Sequence, residues 1–310
     1  MAASSSIDFS SLFGDIDSSK SAAARTSADP QQTPAPKQLI AAVDHAIDAD
    51  VEALYVRACA CVCGLRSSTA VTRERFDDAK AIADATLTVS EKGTQALFDA
   101  VFAKDRKEDP LVANNVNVMV IAAEPAKMLY ADRERVLFVM TAALLHDIGM
   151  DGNVSRLRVL GDAYADRLAE VAEQEYERLG GASYPRGMSS LDVAEAAQIV
   201  GLCNTYEGLT HARTQHDAIS SVGALKSILS GDVLFSSRIV KAFIACVGLY
   251  PKGTYVELNT KEIARVQQQH PLMPASPVVE VVVNAKGEKA AERRIIDLSR
   301  GTRIYIVRPV

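Results

Sequence analysis

Apolar residues recur along this chain in two regimes. From residue 38 to 102 the spacing is helical, with Leu39, Ile40, Val43, Ala46, Ile47, Val51, Leu54 and Tyr55 on one face. Thr72 or Ser67 is placed to cap the next helix, and Ser90 with Gln95 and the run Ala96-Leu97-Phe98 predicts a third. Residues 105–110 read as a charged connector. From 114 to 247 the same period predicts a bundle: a helix capped by Asp132 and running to Asp147, a long acidic-faced helix over 154–179, and others over 191–209, 218–229 and 236–247. Beyond Pro251 the pattern changes to short β-branched runs at 254–258, 278–283, 294–298 and 304–307, with Asn284-Ala285-Lys286-Gly287 as a hairpin turn. The predicted fold class is mainly α, a helical bundle with an N-terminal helical extension and a small C-terminal β appendage.

The division that follows is a tail over 1–37, a helical N-terminal region over 38–109, a helical domain over 110–250 and a β-containing extension of that domain over 251–310. The tail is rich in Ser, Ala, Asp, Pro and Gln without a sustained period, the mark of a disordered segment. Inside it Phe9, Leu12 and Phe13 share a helical face. A docking motif for protein partners and an accidental cluster both stay open.

Composition narrows the classes. Hydrophobic residues make up 48% and charged residues 24% of the 310, ordinary for a globular protein. No apolar run approaches the roughly 20 residues that cross a bilayer, and no basic segment precedes an apolar one at the N-terminus. A cytoplasmic protein without membrane attachment is the expectation. A net charge of −5 argues against a nucleic-acid surface and leaves room for a homo-oligomer. Cys59, Cys61 and Cys63 alternate without the Cys-x-x-Cys turn of a metal site, so they read as reduced, small residues buried on a helix.

The chemistry gathers at Leu144-Leu145-His146-Asp147-Ile148-Gly149, where an apolar helix delivers a His-Asp pair and Gly149 is placed as its C-terminal cap. An imidazole nitrogen and a carboxylate at a helix end can share one metal or bridge two. A buried, hydrogen-bonded pair is the other reading of the same dipeptide.

Three further stretches accompany it. They are Gly181-Ala182-Ser183-Tyr184-Pro185-Arg186-Gly187, then 199–210 with Arg213 following, then Tyr250-Pro251-Lys252-Gly253-Thr254-Tyr255-Val256-Glu257-Leu258. In order and spacing, from about Asn114 to the C-terminus, the chain resembles the HD-GYP branch of the HD superfamily of metal-dependent phosphohydrolases. The resemblance implies an HD-type bundle and cleavage of cyclic di-GMP at a cluster of two or three metals.

The same alignment shows a depleted cluster. Of five histidines, at 45, 146, 211, 216 and 270, only His146 lies at a family ligand position. The first family His falls on Asn114, and a later His pair falls on Glu175 and Tyr176, followed by the retained Glu177. The metal-binding Asp falls on Asn204, the next Asp on Glu207, and the Lys after His-Asp-Ile-Gly on Met150.

His146, Asp147, Glu175 and Asn204 could hold one divalent ion (Mg, Mn or Fe) or none, with Asp147 the catalytic carboxylate if the domain turns substrate over. Tyr184, Arg186 and Arg213 match the ligand-facing positions, where an Arg fork suits phosphate, and His216 stands where relatives carry a basic residue. The resemblance thus predicts a degenerate HD-GYP protein, a silent regulatory or scaffold domain that binds partners and a cyclic dinucleotide. The alternative is a metal-dependent phosphodiesterase, on cyclic di-GMP or another nucleotide, with an unconventional site.

Overall fold

The computed structural model describes residues 48–310 except 104–105, 149, 152–153, 179–186, 189–192, 213–216, 231–234, 271 and 302. Asp48 opens α1 (Ala49–Arg66), its carboxylate accepting from the amides of Asp50 and Val51. Thr72 caps α2 (Arg73–Lys92), and α3 (Gln95–Val101) follows. Ser90, expected to open that third helix, instead lies inside α2 and donates to the Leu87 carbonyl. Asp109 caps α4 (Pro110–Leu129), with Pro110 in the first turn, where its missing N–H costs nothing. Asp132 caps α5 (Arg133–Leu145), as its position predicts.

The long helix expected over 154–179 is not formed. Its span holds β2 (Val154–Ser155), which pairs with β1 (Met150–Asp151), then a 3-10 turn (Arg156–Leu160) and α6 (Ala163–Gln174). Gly161 at φ +69° ends the turn, and Asp162 caps α6 through the amides of Tyr164 and Ala165. Buried Glu173 accepts from the Ser155 amide at 3.0 Å and from two nitrogens of Arg158 at 2.8 Å, fastening the turn to the helix. The remaining helices are α7 (Glu195–Thr210), α8 (Ser221–Ser230) and α9 (Ser237–Val247), capped by Ser236.

These nine helices among the described residues are followed by one antiparallel sheet in the order β6-β5-β4-β3-β7: β3 (Tyr255–Leu258), β4 (Ile263–Gln268), β5 (Val278–Val283), β6 (Lys289–Asp297) and β7 (Ile306–Pro309). Asn284 and Gly287, at φ +81°, make the β5–β6 turn. Strand β4 has no counterpart in the sequence pattern. It is buried on both faces at Ile263–Val266, and Arg265 within it is nearly buried and ion-paired with Asp99 of α3, so no alternation marks it. That pair, and Lys252 Nζ donating to Thr94 Oγ1 at 2.7 Å, tie the sheet to the N-terminal helices.

One hydrophobic core runs from Val51 to Leu298 and takes in both ends of the described chain. On α1 it receives Cys59, whereas Cys61 is half-buried and Cys63 exposed, so only one of the three cysteines is a core residue. No helix among the described residues is long and apolar enough to cross a membrane.

Candidate functional site

Helix α5 brings the His-Asp pair into the bundle and ends there. His146 is 2% exposed, and its Nδ1 lies 2.7 Å from the carbonyl oxygen of Ala143. A carbonyl only accepts, so Nδ1 carries the proton and Nε2 faces the interior without a hydrogen-bond partner among the described residues. Asp147, one residue on, is partly exposed, and its Oδ2 accepts from Arg66 Nη1 at 3.2 Å. Arg66 comes from the last turn of α1.

Facing this end is a chain of buried amides and carboxylates. Tyr55 donates its hydroxyl to Asn117 Oδ1 at 2.8 Å, and Asn117 Nδ2 donates to Glu207 Oε1 at 2.9 Å. Asn114 Nδ2 donates to Glu207 Oε2 at 2.6 Å and to Asn204 Oδ1 at 3.1 Å. Asn204 Nδ2 in turn lies 3.3 and 3.4 Å from the two oxygens of Glu175. Each oxygen of Glu207 and Glu175 named here faces a neutral N–H. A buried carboxylate is tolerated on that condition.

Glu175 follows the last turn of α6, and Asn204 sits mid-way along α7. The approach is close because Gly201 has no side chain: a Cβ there would run into the carbonyl of Glu175. Arg178 holds the same crossing, donating to the carbonyls of Glu175 and Glu177 and, at 3.2 Å, to Thr205 Oγ1. Burial pushes the Glu175 carboxyl up, against the pull of nearby His146 and the Asn204 amide. Tyr176 is half exposed, and burial together with the Glu175 and Asp147 charges pushes its hydroxyl up.

Of the residues singled out in the sequence, Glu175 and Asn204 meet directly and are joined by Asn114 and Glu207, while His146 lies near Glu175 and Asp147 pairs with Arg66. Tyr184, Arg186, Arg213 and His216 lie outside the described residues, as do Gly149, Phe9, Leu12 and Phe13. Sequence reading passes over Arg66, Tyr55 and Asn117 as members of this site. The three asparagines in Ala113-Asn114-Asn115-Val116-Asn117-Val118 were the available signal: amides in an apolar helix must find partners inside it.

The donor set does not fit a multi-metal cluster. Among the described residues no group of three or more His, Cys, Asp or Glu side chains is placed to hold a metal. The Asn204 oxygen already accepts from Asn114, the Glu175 oxygens from Asn204, and Asp147 from Arg66.

Comparison with known proteins adds the frame. Residues 255–310 match the family described as KOW domain associated with HD domain. The chain is 25% identical over 133 residues to cyclic di-GMP phosphodiesterase PA4108 of Pseudomonas aeruginosa, covering 43% of this chain and 32% of that one. It is 19% identical over 197 residues to cyclic di-GMP phosphodiesterase PdeB of Borreliella burgdorferi, covering 56% of this chain and 52% of that one. Among solved structures it superposes on Bd1817, an HDG"Y"P protein from Bdellovibrio bacteriovorus, with a TM-score of 0.51 and 14% identity over 67% of this chain and 76% of that one. The chain resembles the HD-GYP family. It does so at low identity, and it spans at most about half the length of these two curated relatives. HD-GYP proteins are typically metal-dependent. At the positions where the resemblance places the family's ligands, Asn114, Glu175, Asn204 and Glu207 are hydrogen-bonded to one another.

Proposed function

We propose that this protein is a degenerate HD-GYP member, a catalytically silent regulatory or scaffold domain of cyclic di-GMP signalling in the cytoplasm. It binds protein partners, through Phe9, Leu12 and Phe13 of the tail, and a cyclic dinucleotide through Tyr184, Arg186 and Arg213. One observation carries the reading: Asn114, Asn204 and Glu175 spend on one another the atoms a metal cluster would need. Losing most ligands removes most of a metal's binding free energy, and with it the activated water that such hydrolysis uses. Supplying the full chain with Mn²⁺ and following cyclic di-GMP by chromatography tests this. Wild type should leave the dinucleotide uncleaved. Mn²⁺-dependent cleavage that His146→Ala abolishes in a folded protein would overturn it.

A second reading has one observation in its favour. The bare Nε2 of His146, buried near Glu175, is the kind of atom a metal satisfies. On that reading the domain is a phosphodiesterase with one Mg, Mn or Fe ion at His146, Asp147, Glu175 and Asn204.

A further inference from the structure

Among the described residues the oxygens of Glu207 and Glu175 accept from the amides of Asn114, Asn117 and Asn204, whereas Asp147 accepts from a permanent cation. That cation arrives from outside the segment that resembles the family. Helix α1 brackets the site: Tyr55 enters at the buried end through Asn117, and Arg66 reaches Asp147 at the open end. Eleven residues separate them in sequence, about 16 Å along a helix axis.

The helix is fixed at both places. Arg106 lies 3.8 Å over the Tyr55 ring and grips both oxygens of Glu52. Arg75 donates to the Gly64 carbonyl at 2.8 Å, and Arg156 donates to the carbonyls of Ser68 and Thr69 at 3.0 Å just beyond the helix end. Tyr176 completes the rim, its ring half exposed and close enough to Asp147 to feel its charge.

We propose that Arg66 is the resident cation of this site: its guanidinium takes, beside Asp147, the electrostatic place of a divalent metal, so the N-terminal helix neutralises the His-Asp motif from within. The inference rests on the silent-domain reading above. A guanidinium stays charged at any pH the protein meets, and it offers donors but no coordination position, so it can balance Asp147 without activating water. A second cation on the same carboxylate is repelled by the first, so Arg66 at Asp147 Oδ2 disfavours a metal there. Removing Arg66 leaves Asp147 uncompensated near Glu175, and a small cation should then be welcome.

Thermal unfolding of the full chain, with and without millimolar Mn²⁺, tests this. Without metal, Arg66→Ala should melt about 1–3 °C below wild type, as a partly exposed ion pair allows. Mn²⁺ should restore that loss, while leaving wild type and Arg66→Lys within about a degree of their metal-free values. The response should vanish in Arg66→Ala/Asp147→Asn. Should Arg66→Ala fail to fold, Arg66→Gln serves the same comparison. A variant indifferent to Mn²⁺, beside a wild type that purifies without metal, overturns the role of Arg66 alone. A wild type that purifies with stoichiometric metal overturns the silent-domain reading as well.

Discussion

The two halves of the site differ in a way that runs against intuition. At the end of α5, His146 and Asp147 keep the residues of the family motif, yet among the described residues this half is the less satisfied: one imidazole nitrogen has no hydrogen-bond partner there, and the carboxylate has one contact, from Arg66. Across the bundle Asn114, Glu175 and Asn204 depart from the motif, yet this half is knitted through Asn117, Glu207 and Tyr55. Motif identity and structural integration have come apart. A His-Asp dipeptide seen in isolation would direct attention to the half that contributes less to holding the fold.

The largest effect that would break this contrast is at Glu207. Glu207→Ala should cost about 2–4 kcal/mol in denaturant unfolding, because the amides of Asn114 and Asn117 lose a buried acceptor together. Next comes Gly201→Ala, which should cost about 1–3 kcal/mol, since the added methyl must push α7 off the Glu175 carbonyl and draw Asn204 with it. His146→Ala should cost less, about 1–2 kcal/mol, from its single bond to the Ala143 carbonyl and the cavity left behind. A loss at His146 larger than at Glu207 would invert the comparison.

A smaller effect concerns pH. The Glu175 carboxyl is raised above its ordinary value of 4.5 by burial. The unfolded chain therefore releases this proton first as pH rises, and the stabilisation present below about pH 4.5 is lost as pH climbs through the folded value. Thermal melts from pH 5 to 8 should fall more steeply for wild type than for Glu175→Gln, which has no proton to lose. Parallel curves would show that Glu175 is not held in the buried environment described.

Much of the fold was legible in the residues. Asp132 caps the helix it was expected to cap, Thr72, one of two candidates, caps another, and the Asn284–Gly287 turn joins two strands. The long helix over 154–179 was misread because its acidic and apolar spacing survives the break at Gly161, and a helical period does not reveal a turn fastened by buried Glu173. Strand β4 was invisible because Arg265 is buried by an ion pair with a residue more than 160 positions away. The hydrogen-bonded cluster of Asn114, Glu175, Asn204 and Glu207 falls on positions to which the resemblance points. Arg66 and Tyr55 lie on a helix whose sequence carries no motif, and only the packing of α1 against the bundle brings them in.

The most direct measurement is the metal content of the full chain, purified without chelator and analysed for iron, manganese, zinc and magnesium. If the amides and carboxylates of Asn114, Asn204, Glu175 and Glu207 satisfy one another, each metal should stand below roughly a tenth of an equivalent after dialysis. One or more equivalents of a transition metal, lost on His146→Ala while the protein stays folded, would contradict it.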